Sequence, residues 1–238
     1  MRNTLKVYVA KAFKLFGLEV SRLPTPLPSP TVHHGIDVVF DVGANIGQYA
    51  LLTRKEGFRG RIISFEPLPE AHLQLAATAK TDVHWTVHPR CALGSSFSTK
   101  LLNISKNSYS SSILPILDAC RSAAPNSIYI GEVETPLITL DSVFDNYCAP
   151  SEKVFLKIDT QGYEWEVLVG ASEKLSRIKV VQLELSTVQL YGGQKIYKHF
   201  FDFFESKGFY LWSILPGFAN RETGQHLQFD AVFVNGLA

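Results

Sequence analysis

The apolar positions of this chain change period several times, and each change marks an element. Residues 36–42 form a short β-branched run of the kind that makes a strand buried on both faces. A turn bracketed by Gly43 and Gly47 follows, and helical spacing takes over across 47–56. Residues 61–65 read as a second apolar strand ending in the acid Glu66, 68–80 as an Ala- and Leu-rich helix, and 83–87 as a third strand. The same rhythm returns at 153–159 (strand), 163–170 (helix), 177–185 (strand) and 196–207 (helix). In that last helix Phe200, Phe201, Phe203 and Phe204 are too many aromatics for an exposed face and belong to the core. Strands alternating with helices predict an α/β domain on a parallel, doubly wound sheet. Residues 209–215 and 228–234 are two more strands joined by a loop alone, so they must run antiparallel.

The turn after the first strand carries the chemistry. Glycines there let a ligand touch backbone and aim the free N–H groups of the next helix into the crevice at the carboxyl edge of the sheet. Asp41, two residues before Gly43, would repel a pyrophosphate but attract the ammonium and sulfonium of S-adenosylmethionine. The Gly-x-x-x-Gly spacing also departs from the dinucleotide fingerprint. Glu66 lies a little over ~20 residues beyond the turn, where an acid grips a ribose diol in nucleoside-binding α/β folds. Gly43, Ala44, Asn45, Gly47, Glu66 and Pro67 are therefore the candidate donor-binding set, together with Asp41.

Phe-Asp-Val-Gly-Ala-Asn-Ile-Gly (40–47), Ser-Phe-Glu-Pro (64–67), the block from Leu156 to Ala171 containing Lys-Ile-Asp-Thr-Gln-Gly-Tyr-Glu, and Gln-Leu-Glu-Leu-Ser (182–186) resemble the FkbM-type methyltransferases. The resemblance runs over about 38–234. It implies a Rossmann-like class I methyltransferase fold: a seven-stranded, mostly parallel sheet with a C-terminal antiparallel hairpin. It also implies S-adenosylmethionine as donor and a hydroxyl on a sugar, glycan or glycolipid as acceptor. In the family the loop after the third strand borders the adenine, which brings in Cys91 and Ala92.

Asp159 ends the strand at 153–159 and is the first candidate for the base that takes the acceptor's proton; Glu184, near the end of the next strand, is the second. A divalent metal on Asp159, Glu164 and Glu184 is a disfavoured alternative, and Glu164 and Glu166 can simply complement their helix dipole. Lys157 is placed on the other side of its strand, as packing or an ion pair. A nucleotide-linked oxidoreductase and a non-catalytic adenosyl-binding scaffold are the competing functions.

Between 94 and 136 the rhythm breaks into serine runs, Pro115, Pro125 and Gly131. So long an insertion predicts an acceptor-binding lid, with Tyr109 as a platform for a sugar face and Ser111 and Ser112 as hydrogen-bond partners, or else a mobile surface loop. Residues 135–140 resume an extended run, and Asp141 is a candidate cap for a helix ending at 147.

Residues 1–30 stand apart from the domain at 31–238. Arg2, Lys6, Lys11 and Lys14 with Leu5, Val9, Phe13 and Phe16 predict a basic amphipathic helix that packs on the domain or a partner, or docks weakly on an anionic membrane. Pro24, Pro26, Pro28 and Pro30 predict a stiff linker, and His33 and His34 follow it as surface residues or a cover for the site mouth. No stretch approaches the ~18 apolar residues of a spanning helix, which predicts a cytoplasmic protein. With 46% hydrophobic residues the chain can fill one large core, and a net charge of +1 provides no basic footprint for nucleic acid. Cys91, Cys120 and Cys148 are odd in number and lack metal spacing, so they read as unpaired thiols of a reducing compartment.

Overall fold

Every residue of the strand Val38–Val42 is buried, because it lies inside the sheet with a strand on either side and helices over both faces. The computed structural model describes residues 28–237 together with Lys11, Phe13, Lys14, Phe16 and Gly17. Most of the expected amphipathic helix at 1–18 and of the proline-rich linker lies outside the described residues. In chain order the elements are α1 (Pro30–His33), β1 (Val38–Val42), α2 (Gln48–Lys55), β2 (Arg61–Phe65), α3 (Pro69–Ala79), β3 (Trp85–Val87), β4 (Ala92–Leu93), β5 (Ser98–Ser105), α4 (Asp118–Ala123), β6 (Tyr129–Ile138), α5 (Leu140–Tyr147), β7 (Val154–Ile158), α6 (Glu164–Val169), β8 (Ile178–Ser186), α7 (Tyr197–Ser206), β9 (Phe209–Pro216) and β10 (Gln228–Asn235).

Seven strands form the main sheet in the order β3-β2-β1-β7-β8-β10-β9. The first five are parallel, and β10 runs antiparallel to both β8 and β9. This is a mostly parallel, doubly wound sheet ending in an antiparallel hairpin, the Rossmann-like class I methyltransferase arrangement that the sequence predicts.

Period-two alternation divides the core. Val38, Phe40 and Val42 face a cluster with Leu140, Phe144, Leu168, Phe200 and Phe204, so α5, α6 and α7 cover that side. Val39 faces Ala50, Leu75 and Ala79 from α2 and α3. Phe200 and Phe204 are fully buried, and Phe201 and Phe203 pack half-buried against the same cluster.

The insertion is more regular than expected. Its β5 and β6 pair antiparallel, β4 joins β6, and the three make a second sheet spanning 92–138. The apolar pattern conceals β5 because only Leu102 and Ser105 of its eight residues are buried, which leaves no alternation to read. Leu102 packs with Leu68 and Ala71 of the main domain, seating this sheet beside the carboxyl edge of the large one.

Two smaller expectations are corrected. Thr139, not Asp141, caps α5: its side chain accepts from the Ser142 N–H, while Asp141 accepts from the N–H groups of Glu173 and Lys174. His33 and His34 pack against Trp212, the first tilted and the second edge-on, and precede β1, so they lie at the amino edge of the parallel strands, opposite the site mouth. No described helix is long and apolar enough to cross a membrane.

Candidate active site

At the carboxyl ends of β1, β2, β7 and β8 the strands open onto a cavity of about 220 Å³. Gly43, Asn45, Glu66, Pro67, Cys91, Ala92, Tyr109, Ser111, Asp159 and Glu184 line it, so ten of the residues named from sequence meet around one space. Gly43 is there for a steric reason. Its φ is +78°, and a Cβ would lie 1.9 Å from the Asp159 carbonyl oxygen, so only glycine lets β1 and β7 close together at this edge.

The turn itself is closed rather than open. The N–H groups of Gly43 and Ala44 both donate to the Phe65 carbonyl, that of Asn45 to Glu66 Oε2 at 2.7 Å, that of Ile46 to Asn45 Oδ1 and that of Gly47 to the Ala44 carbonyl. The amides of the turn itself, 43–47, are thus consumed, and a phosphate placed against the turn would meet the Glu66 carboxyl.

Ala44 is buried away from the cavity, and Gly47 is needed for packing: a Cβ there would come within 2.6 Å of Trp85. Neither reaches the cavity, contrary to expectation. Asp41 is also corrected. It has no exposed surface and lies in register with Ser64 on β2 and Lys157 on β7, behind the cavity wall. Lys157 Nζ lies 3.6 Å from Asp41 Oδ1 and 3.3 Å from Asp159 Oδ2. The lysine therefore shares a face with Asp159, two residues on, as period-two geometry requires. Burial alone would lower the Lys157 pKa, but the Asp159 and Asp41 carboxylates outweigh it and hold the ammonium above its ordinary value. Burial raises Asp41, against the pull of Lys157. One ammonium thus serves two acids, and only Asp159 faces the cavity.

Glu66 is 4% exposed, and its Oε1 accepts the Leu68 N–H at 2.8 Å while Oε2 takes Asn45. Burial pushes its carboxyl up to about 7, although both backbone bonds oppose the shift. Each oxygen thus has one backbone donor, and the side chain lines the cavity. Burial pushes the Cys91 thiol up to about 12, which makes it an inert wall rather than a nucleophile.

Glu164 does not turn toward Asp159 and Glu184. Its Oε1 accepts from the N–H groups of Thr160 and Gly162 and from the Thr160 hydroxyl, tying the β7–α6 loop together. Among the described residues no group of three His, Cys, Asp or Glu side chains is disposed to hold a metal ion. Ser112 is likewise structural: it is 1% exposed and donates to the Gln161 carbonyl at 2.6 Å.

The burial of Glu164 has a measurable effect. Burial raises its carboxyl from 4.5 to about 7, so between those values the folded chain keeps a proton that the unfolded chain has released. Stability therefore falls as pH rises through this window, by up to about 3 kcal/mol from this group. Glu164→Gln keeps the acceptor oxygen and removes the titration, so urea unfolding from pH 4.5 to 7.5 should show a shallower fall than wild type. An unchanged slope would remove Glu164 as its source.

The residue that sequence reasoning passed over is Gln161. Its φ is +55°, and the other non-glycine residues with positive φ, Asn45 and Ser108, also line the cavity. Backbone strain in the described residues thus collects at one place, as it does at functional sites. The Gln161 amide donates to Asp159 Oδ1 and Glu184 Oε2, each at 2.8 Å, and its oxygen accepts from the Tyr191 hydroxyl at 2.8 Å. Burial holds Glu184 well above the usual carboxylate range, with the Asp159 charge adding to the shift. The signal in the sequence was a non-glycine residue before Gly162 in the Asp-Thr-Gln-Gly block.

Among solved structures the chain is similar to an FkbM methyltransferase from Methylobacillus flagellatus KT (16% identity, 83% of this chain and 43% of that one, TM-score 0.47). It is also similar to a magnesium protoporphyrin IX methyltransferase from Synechocystis PCC 6803 with bound S-adenosylmethionine (12% identity, 86% and 74%, TM-score 0.45) and to a fibrillarin/Nop5p complex (10% identity, 94% and 79%, TM-score 0.49). Likenesses this loose transfer neither a site nor a substrate, and the chain spans less than half of the Methylobacillus one. No curated protein matches. A family model of the methyltransferase FkbM domain matches residues 41–211, from the buried Asp41 into β9. A match over most of its 238 residues places this chain in the FkbM methyltransferase family, which draws its methyl group from S-adenosylmethionine.

Proposed function

We propose that this chain is an S-adenosylmethionine-dependent O-methyltransferase whose acceptor is a hydroxyl of a sugar, glycan or glycolipid. The observation that carries the reading is the placement of Glu66, Gly43 and Asp159 around one cavity, in that order across the sheet. Glu66 at the β2 end suits a ribose diol, and the Gly43 turn leaves room for ligand against backbone. Asp159 at the β7 end would then stand at the methyl end. Bound there, the donor supplies an electrophilic methyl carbon whose bond to sulfur breaks toward sulfur as the acceptor oxygen attacks. The Asp159 carboxylate takes the hydroxyl proton, held in place by Lys157 and Gln161. Glu184 is the second candidate base, with its carboxyl raised well above the usual range by burial. Tyr109, 59% exposed with its hydroxyl accepting from Gln48 Nε2, offers a flat face to an acceptor ring.

Calorimetric titration with S-adenosylmethionine, S-adenosylhomocysteine and NAD tests the reading at its root. Binding of both adenosyl ligands and not of NAD is the expected result. Binding of NAD alone would transfer the chain to the oxidoreductase reading.

A further inference from the structure

Tyr191 is 1% exposed and does not line the donor cavity, yet its hydroxyl donates to Gln161 Oε1 at 2.8 Å. Burial lifts this phenol above its ordinary range, so it stays a hydroxyl with a proton to donate. The ring is clamped from two sides. On one it lies against the backbone of Gly162, whose φ is +99° and where an added Cβ would come within 3.0 Å of the ring. On the other, the insertion grips the chain around it. The Leu117 N–H donates to the Leu190 carbonyl and the Gly192 N–H to the Pro115 carbonyl, which brings Ile116 and Tyr191 opposite one another in an isolated bridge. Ile116, Cys120, Leu190 and Leu227 complete the apolar setting. The hydroxyl therefore has a fixed place.

What it touches is a group with two unlike ends. A carboxamide is nearly symmetric in shape and opposite in polarity at its oxygen and nitrogen. With the oxygen on Tyr191, the two N–H bonds of Gln161 point away, one to Asp159 Oδ1 and one to Glu184 Oε2. Turned over, the oxygen would face both acids and the nitrogen would face the phenol. A carboxylate at Asp159 is stabilised by the first arrangement and opposed by the second. The phenol proton meets an acceptor on Gln161 only in the first.

We propose that Tyr191 is a positioning residue for the reaction, turning the Gln161 carboxamide so that an N–H rather than a carbonyl oxygen meets Asp159. The proposal rests on the reading of Asp159 as the base. It carries the support of that base out to the insertion, whose segment 115–117 seats Tyr191.

The full chain, isotope-labelled at its aspartate carboxyls and glutamine side chains, is titrated by NMR without ligand as wild type, Gln161→Leu, Tyr191→Phe and the double variant, with Asp159→Asn to identify the carboxyl signal. Lys157 on β7, Asp41 on β1, Glu184 on β8, Asp230 on β10 and Glu164 on α6 bear on Asp159 by charge and are common to the four titrated proteins. Gln161→Leu should move the pH at which the Asp159 signal titrates upward by roughly one unit, the loss of one hydrogen bond to a charged group. Tyr191→Phe should move it the same way, and the double variant no further than Gln161→Leu alone. An Asp159 signal that Tyr191→Phe leaves unmoved overturns the proposal. Wild type should also show two separate, slowly exchanging Gln161 carboxamide N–H signals. A single averaged signal there overturns the fixed orientation, even if Tyr191→Phe does not fold.

Turnover, followed as S-adenosylhomocysteine release, adds the catalytic readout. Tyr191→Phe should lower kcat by roughly three- to tenfold in the wild-type background and leave it unchanged in Gln161→Leu, with S-adenosylhomocysteine affinity within about twofold throughout. An equal loss in both backgrounds makes Tyr191 a packing residue and overturns the proposal. The expected titration shifts together with normal turnover of Asp159→Asn would instead overturn the base reading, leaving the bond from Tyr191 to Gln161 intact.

Discussion

Glu66→Ala should lower the affinity for S-adenosylhomocysteine by roughly 100-fold, because it removes charge-assisted bonds to a ribose together worth about 2–3 kcal/mol. The same substitution strips an acceptor from two backbone amides, Asn45 and Leu68, at the floor of the cavity. Glu66→Gln separates the two effects, since its oxygen can still take one amide while the charge is gone. We expect an intermediate loss of roughly tenfold for Gln. The carboxyl raised to about 7 adds a pH signature. Below that value the unliganded site carries a proton that a diol-binding carboxylate must lose. Affinity is therefore level above pH 8 and declines as pH falls from 7 to 6, by at most about tenfold per unit. Calorimetry across that range on wild type and Glu66→Gln checks both claims. A folded Glu66→Ala variant that binds like wild type would remove Glu66 from the site.

What the sequence disclosed and what it hid follow from the same physics. The main sheet was legible because β1, β7 and β8 are short β-branched runs and the helices between them keep a helical period. The hairpin was legible because β9 and β10 have no helix between them. Positions on the cavity were legible where backbone topology alone decides them: Glu66 and Asp159 end parallel strands, and Gly43 sits where β1 meets β7. Orientation was harder. Asp41 looked like a ligand because it precedes the turn, but it shares the buried Val39 face and meets Ser64 and Lys157 in register. Only pairing across strands reveals that. Ser112 and Glu164 look like site residues by composition, yet their polar atoms are consumed by the Gln161 carbonyl and by the Thr160 and Gly162 amides. Hydrogen-bond accounting of that kind needs coordinates. The second sheet escaped notice because β5 is exposed along most of its length.

Asp159→Asn should lower turnover by roughly 10²–10⁴-fold, the contribution of a positioned general base. The substitution preserves shape and the bond that Gln161 donates to Oδ1, but it removes one of the two acids that Lys157 pairs with and leaves Asp41. Donor affinity should change little, since the ribose is held at the β2 end. Glu184→Gln sets the comparison. Burial raises the Glu184 carboxyl well above its usual range, and the N–H bonds that Oε2 accepts from Gln161 and Gln228 can still be accepted by the new carbonyl. A loss within about tenfold is expected there, on the scale of one altered hydrogen bond. Turnover is followed as S-adenosylhomocysteine release with a sugar acceptor that wild type methylates, and thermal melting verifies that each variant folds. If Glu184→Gln is the more damaging change, the proton leaves by way of β8 and Asp159 only orients the acceptor. If both variants turn over normally, the proton goes directly to solvent, and the acids, with their shared glutamine, serve only to hold the cavity wall together.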